Sequence, residues 1–335
     1  MNTRKWLEDL KTAPTKKAMP VLSFPCISLM DITVKELIND SDLQAKGMKL
    51  VADRVPSAAS VSMMDLSVEA ECFGSQIRFS DDEVPTVIGA VVTSEEEAEA
   101  LKVPEVGSCR TGKYIEAIGK ACKLITDRPV FAGVIGPFSL AGRLMDVTEA
   151  LVNCYAEPDM VHITMKKATA FLIDYIKAYK EIGANGVVIA EPLTGLLSPA
   201  MAEEFSEPYV KQIVDAVQDD SFLVIYHNCG NNTIQMIDSI LRTGSAAYHF
   251  GNSISMKEMM AKIPKDIVAM GNVDPAGQFR NGTPESIKAE TKRIMSECCA
   301  EYPNFVISSG CDIPPASKWE NIDAFFEAVQ EFYAE

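Results

Sequence analysis

The chain has 335 residues, 47% of them apolar, and carries 31 Lys and Arg against 47 Asp and Glu, a formal net charge of −16. That apolar share supports a large core and excludes a disordered chain. The acidic excess excludes a nucleic-acid partner, which needs a basic face, and offers no polybasic patch to an anionic membrane.

No apolar run reaches the ~18 residues of a membrane span. Residues 1–18, MNTRKWLEDLKTAPTKKA, read as a polar amphipathic helical segment without the apolar stretch of a secretory signal. The expected compartment is the cytoplasm. The nine Cys fit reduced thiols better than a disulfide framework: Cys26, Cys72, Cys122 and Cys154 stand singly in apolar surroundings. The adjacent Cys298 and Cys299 read as packing residues on a helix.

Short runs rich in Val, Ile, Phe and small residues recur along the chain, at 21–28, 59–64, 130–136, 186–190, 223–226, 246–250, 267–271 and 305–308. Most end in Gly, Pro, Asn or Asp, as strands do. Amphipathic helical stretches separate most of them, the clearest at 162–182, 199–217, 233–241 and 284–299. The last opens on Thr283 and Pro284, a cap followed by a first-turn proline. Ser286 stands where a capping box carries Glu or Gln, so no box is expected there.

Residues 71–105 break the rhythm and read as an insertion after the second strand, a hairpin of 76–79 and 84–92 over the mouth of the fold. The acidic run Glu95–Ala100 reads as a solvated helix start. Eight strands alternating with helices predict a closed parallel (β/α)8 TIM barrel, a single domain over 1–335. The rival, an open doubly wound sheet, usually announces a Gly-rich phosphate turn, and neither GxGxxG nor GxxxxGK[ST] occurs.

Barrel chemistry sits where the strands run out into the following loops. Polar residues at those ends are Glu191, His227, Asn228, Cys229, His249, Asn252, Asn272, Asp274, Cys311 and Asp312, which hold two of the protein's three His. His227 and Cys229 lie two apart at a strand end and so share a face. Their N and S donors suit Zn²⁺. The same pair also fits a satisfied histidine beside a buried thiol. Cys311, in SSGCDIPP after the eighth strand, adds a third donor from across the barrel mouth and favours the metal. Glu191, water or substrate could fill the fourth position; Glu191 equally suits a helix start, where a carboxylate complements the dipole. His249 suits an interior hydrogen-bonding role, and His162 a structural one. Asn252 and Asp274 are candidates for contacting substrate, with His249 beside them.

The motifs HNCGN (Tyr226 is followed by His227 to Asn231), SSGCDIPP (Ser308 to Pro315), GPFSLAGRLMD (Gly136 to Asp146) and GNVDP (Gly271 to Pro275) resemble those of the uroporphyrinogen decarboxylase superfamily. The pairing of HNCGN with GC most resembles its zinc branch, the methylcobamide:coenzyme M methyltransferases. That resemblance implies a (β/α)8 barrel with zinc on His227, Cys229 and Cys311. The family's acidic position after the fourth strand falls on Glu191, which could act catalytically by leaving the zinc when thiol enters. It also implies a small thiol substrate and a methylcorrinoid donor. No His lies in the DxHxxG of a cobalamin carrier, so the corrinoid is expected on a separate corrinoid protein.

Three alternatives stay open. A corrinoid-loading O- or N-demethylase component shares the barrel, although relatives of that kind use carboxylate-rich zinc sites. A decarboxylase would need cations for an acidic tetrapyrrole, and the matching stretch LSFPCISLMD has no Arg. A non-catalytic, zinc-stabilised scaffold would close the metal with four protein ligands.

Overall fold

The computed structural model describes residues 1–334. Among them, seven parallel strands form one curled sheet: β1 (Ser60–Val61), β4 (Val130–Ile135), β5 (Gly186–Ala190), β6 (Leu223–Asn228), β7 (Ala247–Phe250), β8 (Val268–Val273) and β9 (Phe305–Ser309). Two more, β2 (Gln76–Arg78) and β3 (Thr86–Ile88), pair antiparallel as the expected hairpin inserted after β1. The sheet follows chain order, so each crossover returns beside the strand it left, as in a parallel barrel.

The first expected strand, 21–28, is corrected. Residues 18–21 bridge the two outer strands by isolated bonds: Met19 N–H donates to the Ile307 carbonyl at 3.0 Å, Val21 N–H to Ser309 Oγ at 3.0 Å, and Ala58 N–H to the Ala18 carbonyl at 2.8 Å. Pro20 has no N–H and cannot continue a ladder. Pro25 instead precedes a short helix, Cys26–Met30. The curl is therefore closed by a strap rather than by an eighth strand.

Alternation along the strands divides the core. Phe131, Val188, Ala190, Leu223, Ile225, Ala247, Val268, Met270 and Val306 pack with one another inside the curl. Their neighbours, such as Val187, Ile189, Val224, Tyr226 and Tyr248, pack outward under the helices. Leu10 of the first helix, Thr3–Thr12, joins the inner group, with Trp6 packed against it and donating to the Ala58 carbonyl at 3.0 Å. That helix plugs the end of the barrel remote from the strand C-termini.

Local chemistry sets the helix boundaries. The stretch 199–217 is two helices, Pro199–Phe205 and Glu207–Val217, because Pro208 restarts the turn. Residues 233–241 form a 3₁₀ turn running into Ile237–Arg242. The helix Pro284–Cys298 does carry a capping box: the Ser286 hydroxyl accepts from Thr283 N–H at 2.9 Å while Thr283 Oγ1 accepts from Ser286 N–H at 3.2 Å. Ser serves because an oxygen acceptor is all the box requires. His162 lies within the long helix Pro158–Glu181, bonded to Tyr209 Oη at 2.7 Å and stacked on Phe205, a structural role. No helix among the described residues is long and apolar enough to cross a membrane.

Candidate metal centre

The inward parity of β6 runs Leu223, Ile225, His227, and the next residue on that face is Cys229. On β7, inward Ala247 leads to His249; on β8, Met270 leads to Asn272; on β9, Val306 leads to Ser308. Apolar side chains thus fill the barrel, and the next inward position on each strand is polar. The register places His227 opposite His249. Beyond β9, Gly310 turns the chain so that Cys311 faces His227.

One donor atom each from His227, Cys229 and Cys311 lies within 4.8 Å of the others, the group of this kind found among the described residues. His227 Nε2 and Cys311 Sγ are 3.5 Å apart. Tetrahedral bonds of about 2.0–2.1 Å to nitrogen and about 2.3 Å to sulfur would separate two such ligands by about 3.5 Å. The donor set and its spacing therefore fit Zn²⁺.

Hydrogen bonds orient the histidine. Ser308 Oγ donates to the Met19 carbonyl at 2.7 Å, so its hydroxyl proton is committed. It must then accept from His249 Nε2, 2.7 Å away. Burial and the neighbouring His227 depress His249 well below the ordinary imidazole range, so the ring stays neutral. Its Nδ1 is then an acceptor, and His227 Nδ1, at 2.7 Å, is the donor. Nε2 of His227 is left with a free lone pair aimed at Cys311. This is the outer support that metal-binding histidines need. His249 engages both nitrogens in hydrogen bonds inside the barrel.

Between the sulfurs, a hydrogen bond with Cys311 holds Cys229 below the ordinary thiol range, against the opposing effect of burial. The same contact, reinforced by burial, raises Cys311. Cys229 thus gives up its proton more readily than Cys311. The loop carrying it packs so closely that a Cβ on Gly251 would lie 2.4 Å from Cys229 Cβ. Asp312 is half-buried, accepts from Met64 N–H at 2.7 Å and leaves its shielded Oδ1 without a partner among the described residues.

Glu191 lies one residue past inward-facing Ala190, so its side chain takes the outward parity. It turns into the start of the helix Pro137–Met145. Its oxygens accept from Phe138 N–H at 2.9 Å, Ser139 N–H at 2.9 Å, Ser139 Oγ at 2.7 Å and Thr194 Oγ1 at 3.2 Å. Burial raises its carboxyl to about 7 in spite of those donors. Gly136 makes room for it: a Cβ there would lie 2.2 Å from Glu191 Cγ. Glu191 is outside the three-donor group, and moving it onto a metal would break those four bonds. Its N–H donates to the His227 carbonyl at 2.9 Å, so it ties that helix to β6.

Asn252 and Asp274 line an open cleft of about 410 Å³ that continues outward to Glu290 and Arg293. Asn252 is exposed and abuts Gly310; Asp274 caps the turn Pro275–Arg280 through Ala276 and Gly277 N–H. The motif reading missed a buried ionic cluster at the end of β1. Arg110 meets Asp65, bonds Glu71 at 2.6 Å and Ser67 at 2.8 Å, and Tyr114 Oη donates to Asp65 at 2.7 Å. Its signal was present as an Asp just past a strand, but its Arg partner is 45 residues away.

The fold is thus a parallel barrel with a histidine and two thiols gathered at its C-terminal mouth, a donor group that could hold a metal ion. Residues 13–332 match the family model for uroporphyrinogen decarboxylase (URO-D), and the chain belongs to that family. It is 28% identical over 278 residues to the methylcobamide:CoM methyltransferase MtbA of Methanosarcina mazei, covering 80% of this chain and 78% of that one. It is 25% identical over 308 residues to a uroporphyrinogen decarboxylase of Alcanivorax borkumensis, covering 88% and 85%. A solved methyltransferase from Methanosarcina mazei has the same fold, with TM-score 0.86 at 24% identity over 99% of both chains.

Proposed function

We propose that this protein moves a methyl group from a methylcorrinoid, carried on a separate corrinoid protein, to a small thiol such as coenzyme M. The observation that carries this reading is the triangle of His227 Nε2, Cys229 Sγ and Cys311 Sγ at zinc-ligand spacing. The methyltransferase relative supports the choice of reaction.

His227, Cys229 and Cys311 would hold Zn²⁺, and a thiol coordinated there would be deprotonated at neutral pH. Two thiolates and a neutral imidazole cancel the ion's charge, so sulfur drawn to the site keeps its electron density. A site of neutral histidines would leave the charge uncompensated and favour activated water. His249 and Ser308 hold the His227 tautomer. The proton held between Cys229 and Cys311 must leave when a cation binds, so metal loading is expected to strengthen as pH rises. Glu191 acts as a positioning residue by joining the His227 strand to the helix Pro137–Met145.

Metal analysis of the wild type should give about one zinc per chain, as three protein donors and one open position require. Cys229→Ala and Cys311→Ala should lose it, and with it the thiol-dependent demethylation of methylcobalamin. Full zinc in both variants would refute the ligand set. The decarboxylase relatives favour a second reading, checked by incubation with uroporphyrinogen: formation of coproporphyrinogen would establish it.

A further inference from the structure

Arg143 projects from the helix Pro137–Met145 and is partly buried. Among the described residues it has no hydrogen bond and no ion pair, and loss of water is what lowers its guanidinium. Other shielded guanidinium groups of this chain are matched: Arg110 by Asp65 and Glu71, Arg128 by Asp127 and the Val55 carbonyl. A desolvated cation without a counterion is costly in any protein. In a chain of net charge −16 with 47 carboxylates, partners are abundant, and this side chain is left without one.

Arg143 borders a cavity of about 110 Å³ whose other walls are Met64, Leu66, Ser67, Val84, Pro85 and Val87. A single water needs about 10–15 Å³ by the same measure. Ser67 is already engaged by Asp65 and Arg110. Arg143 is thus the charged group of an otherwise mostly apolar chamber roofed by the hairpin β2–β3.

Hydrogen bonds link this chamber by two routes to the segments that carry the three donors. Met64, in its wall, donates its N–H to Asp312, the residue after Cys311. The helix bearing Arg143 is capped by Glu191, whose N–H is bonded to the His227 carbonyl. Arg143 is therefore carried on a helix braced against the ligand strand.

We propose that Arg143 is the receptor for an oxyanion on the small acceptor substrate, a sulfonate, carboxylate or phosphate at the end remote from the sulfur. The planar guanidinium offers paired donors to such a group. This rests on the thiol-acceptor reading above. The phosphate of the corrinoid nucleotide has the same chemistry and is distinguished by experiment.

Three proteins are compared: wild type, Arg143→Gln and Arg143→Lys. In demethylation of methylcobalamin, Arg143→Gln is expected to raise KM for 2-mercaptoethanesulfonate by about 10- to 100-fold, the weight of a charge-assisted hydrogen bond. The kcat should stay within a few-fold and KM for neutral 2-mercaptoethanol should not move. Arg143→Lys should recover part of the loss. Equal loss with both thiols overturns the proposal. So does a KM rise for methylcobalamin that vanishes with methylcobinamide, which lacks the nucleotide phosphate.

A second readout needs neither metal nor turnover. Phenylglyoxal should modify Arg143 in zinc-stripped protein, and ethanesulfonate should protect it while ethanol does not, read by peptide mass. Absence of protection overturns the anion site. Protection without demethylation by any thiol would leave the anion site standing and remove the thiol reading.

Discussion

His227 shows how little of a donor nitrogen's availability lies in its own side chain. Its donor nitrogen is available because a chain of three acceptors and donors, ending on the Met19 carbonyl, leaves only one tautomer. If zinc binds as proposed, removing His249 should act on an ion that this side chain never touches. His249→Ala is expected to weaken zinc binding by about 10- to 100-fold, measured by competition with a chromogenic chelator. His249→Asn, which restores an acceptor, should recover part of it. Unchanged affinity in both would mean that the tautomer is set elsewhere.

At the scale of the elements, the segment after β1 carries two buried acidic devices of opposite character, Asp65 in the turn and Glu69 in the short helix Val68–Cys72. Asp65 is held by Arg110 and Tyr114 and is fully enclosed. Arg110→Met would strand its charge and should cost about 3–5 kcal/mol in urea denaturation. Glu69 has no such counterion: it accepts from Ile135 N–H at 3.1 Å, its other oxygen is unpartnered, and burial raises it from 4.5 to about 7. The folded protein therefore holds this proton more tightly than the unfolded chain. Its favourable contribution is complete below pH 4.5 and is lost as pH rises through about 7. Glu69→Gln removes that drift, so the variant should gain ~3 kcal/mol on the wild type between pH 4.5 and 8, read from denaturation midpoints. A constant difference across that range would exclude a raised Glu69.

For the whole molecule, the separation between core and site governs what a metal held at the proposed site would do for stability. The apolar interior and the plugging helix Thr3–Thr12 lie below the layer of His227, His249 and Ser308 and do not depend on it. Chelation should leave the far-ultraviolet spectrum unchanged and lower the melting temperature only by linkage, about 2.7 kcal/mol when free zinc stands at a hundred times its dissociation constant. Collapse of the fold on chelation would instead favour the scaffold reading.

Short runs rich in Val, Ile, Phe and small residues, ending in Gly, Pro, Asn or Asp, made most of the strands readable, and the polar residues at their ends included His227, Cys229 and Cys311, whose donor atoms the structure brings within 4.8 Å of one another. The runs and the donors at their ends are local properties of backbone parity and donor type. The 18–21 strap was not readable, since Pro20 breaks a ladder that apolar content alone suggested. The roles of Glu191 and His249 were not readable either. One residue of parity turns Glu191 outward onto a helix that starts 54 residues earlier, and only the pairing of β6 with β7 sets His249 against His227. The amino-acid sequence by itself determined which donors exist and which face each presents. The tertiary structure decided which of them meet, because hydrogen bonds and packing between distant segments depend on register and closure, which no single stretch of chain encodes.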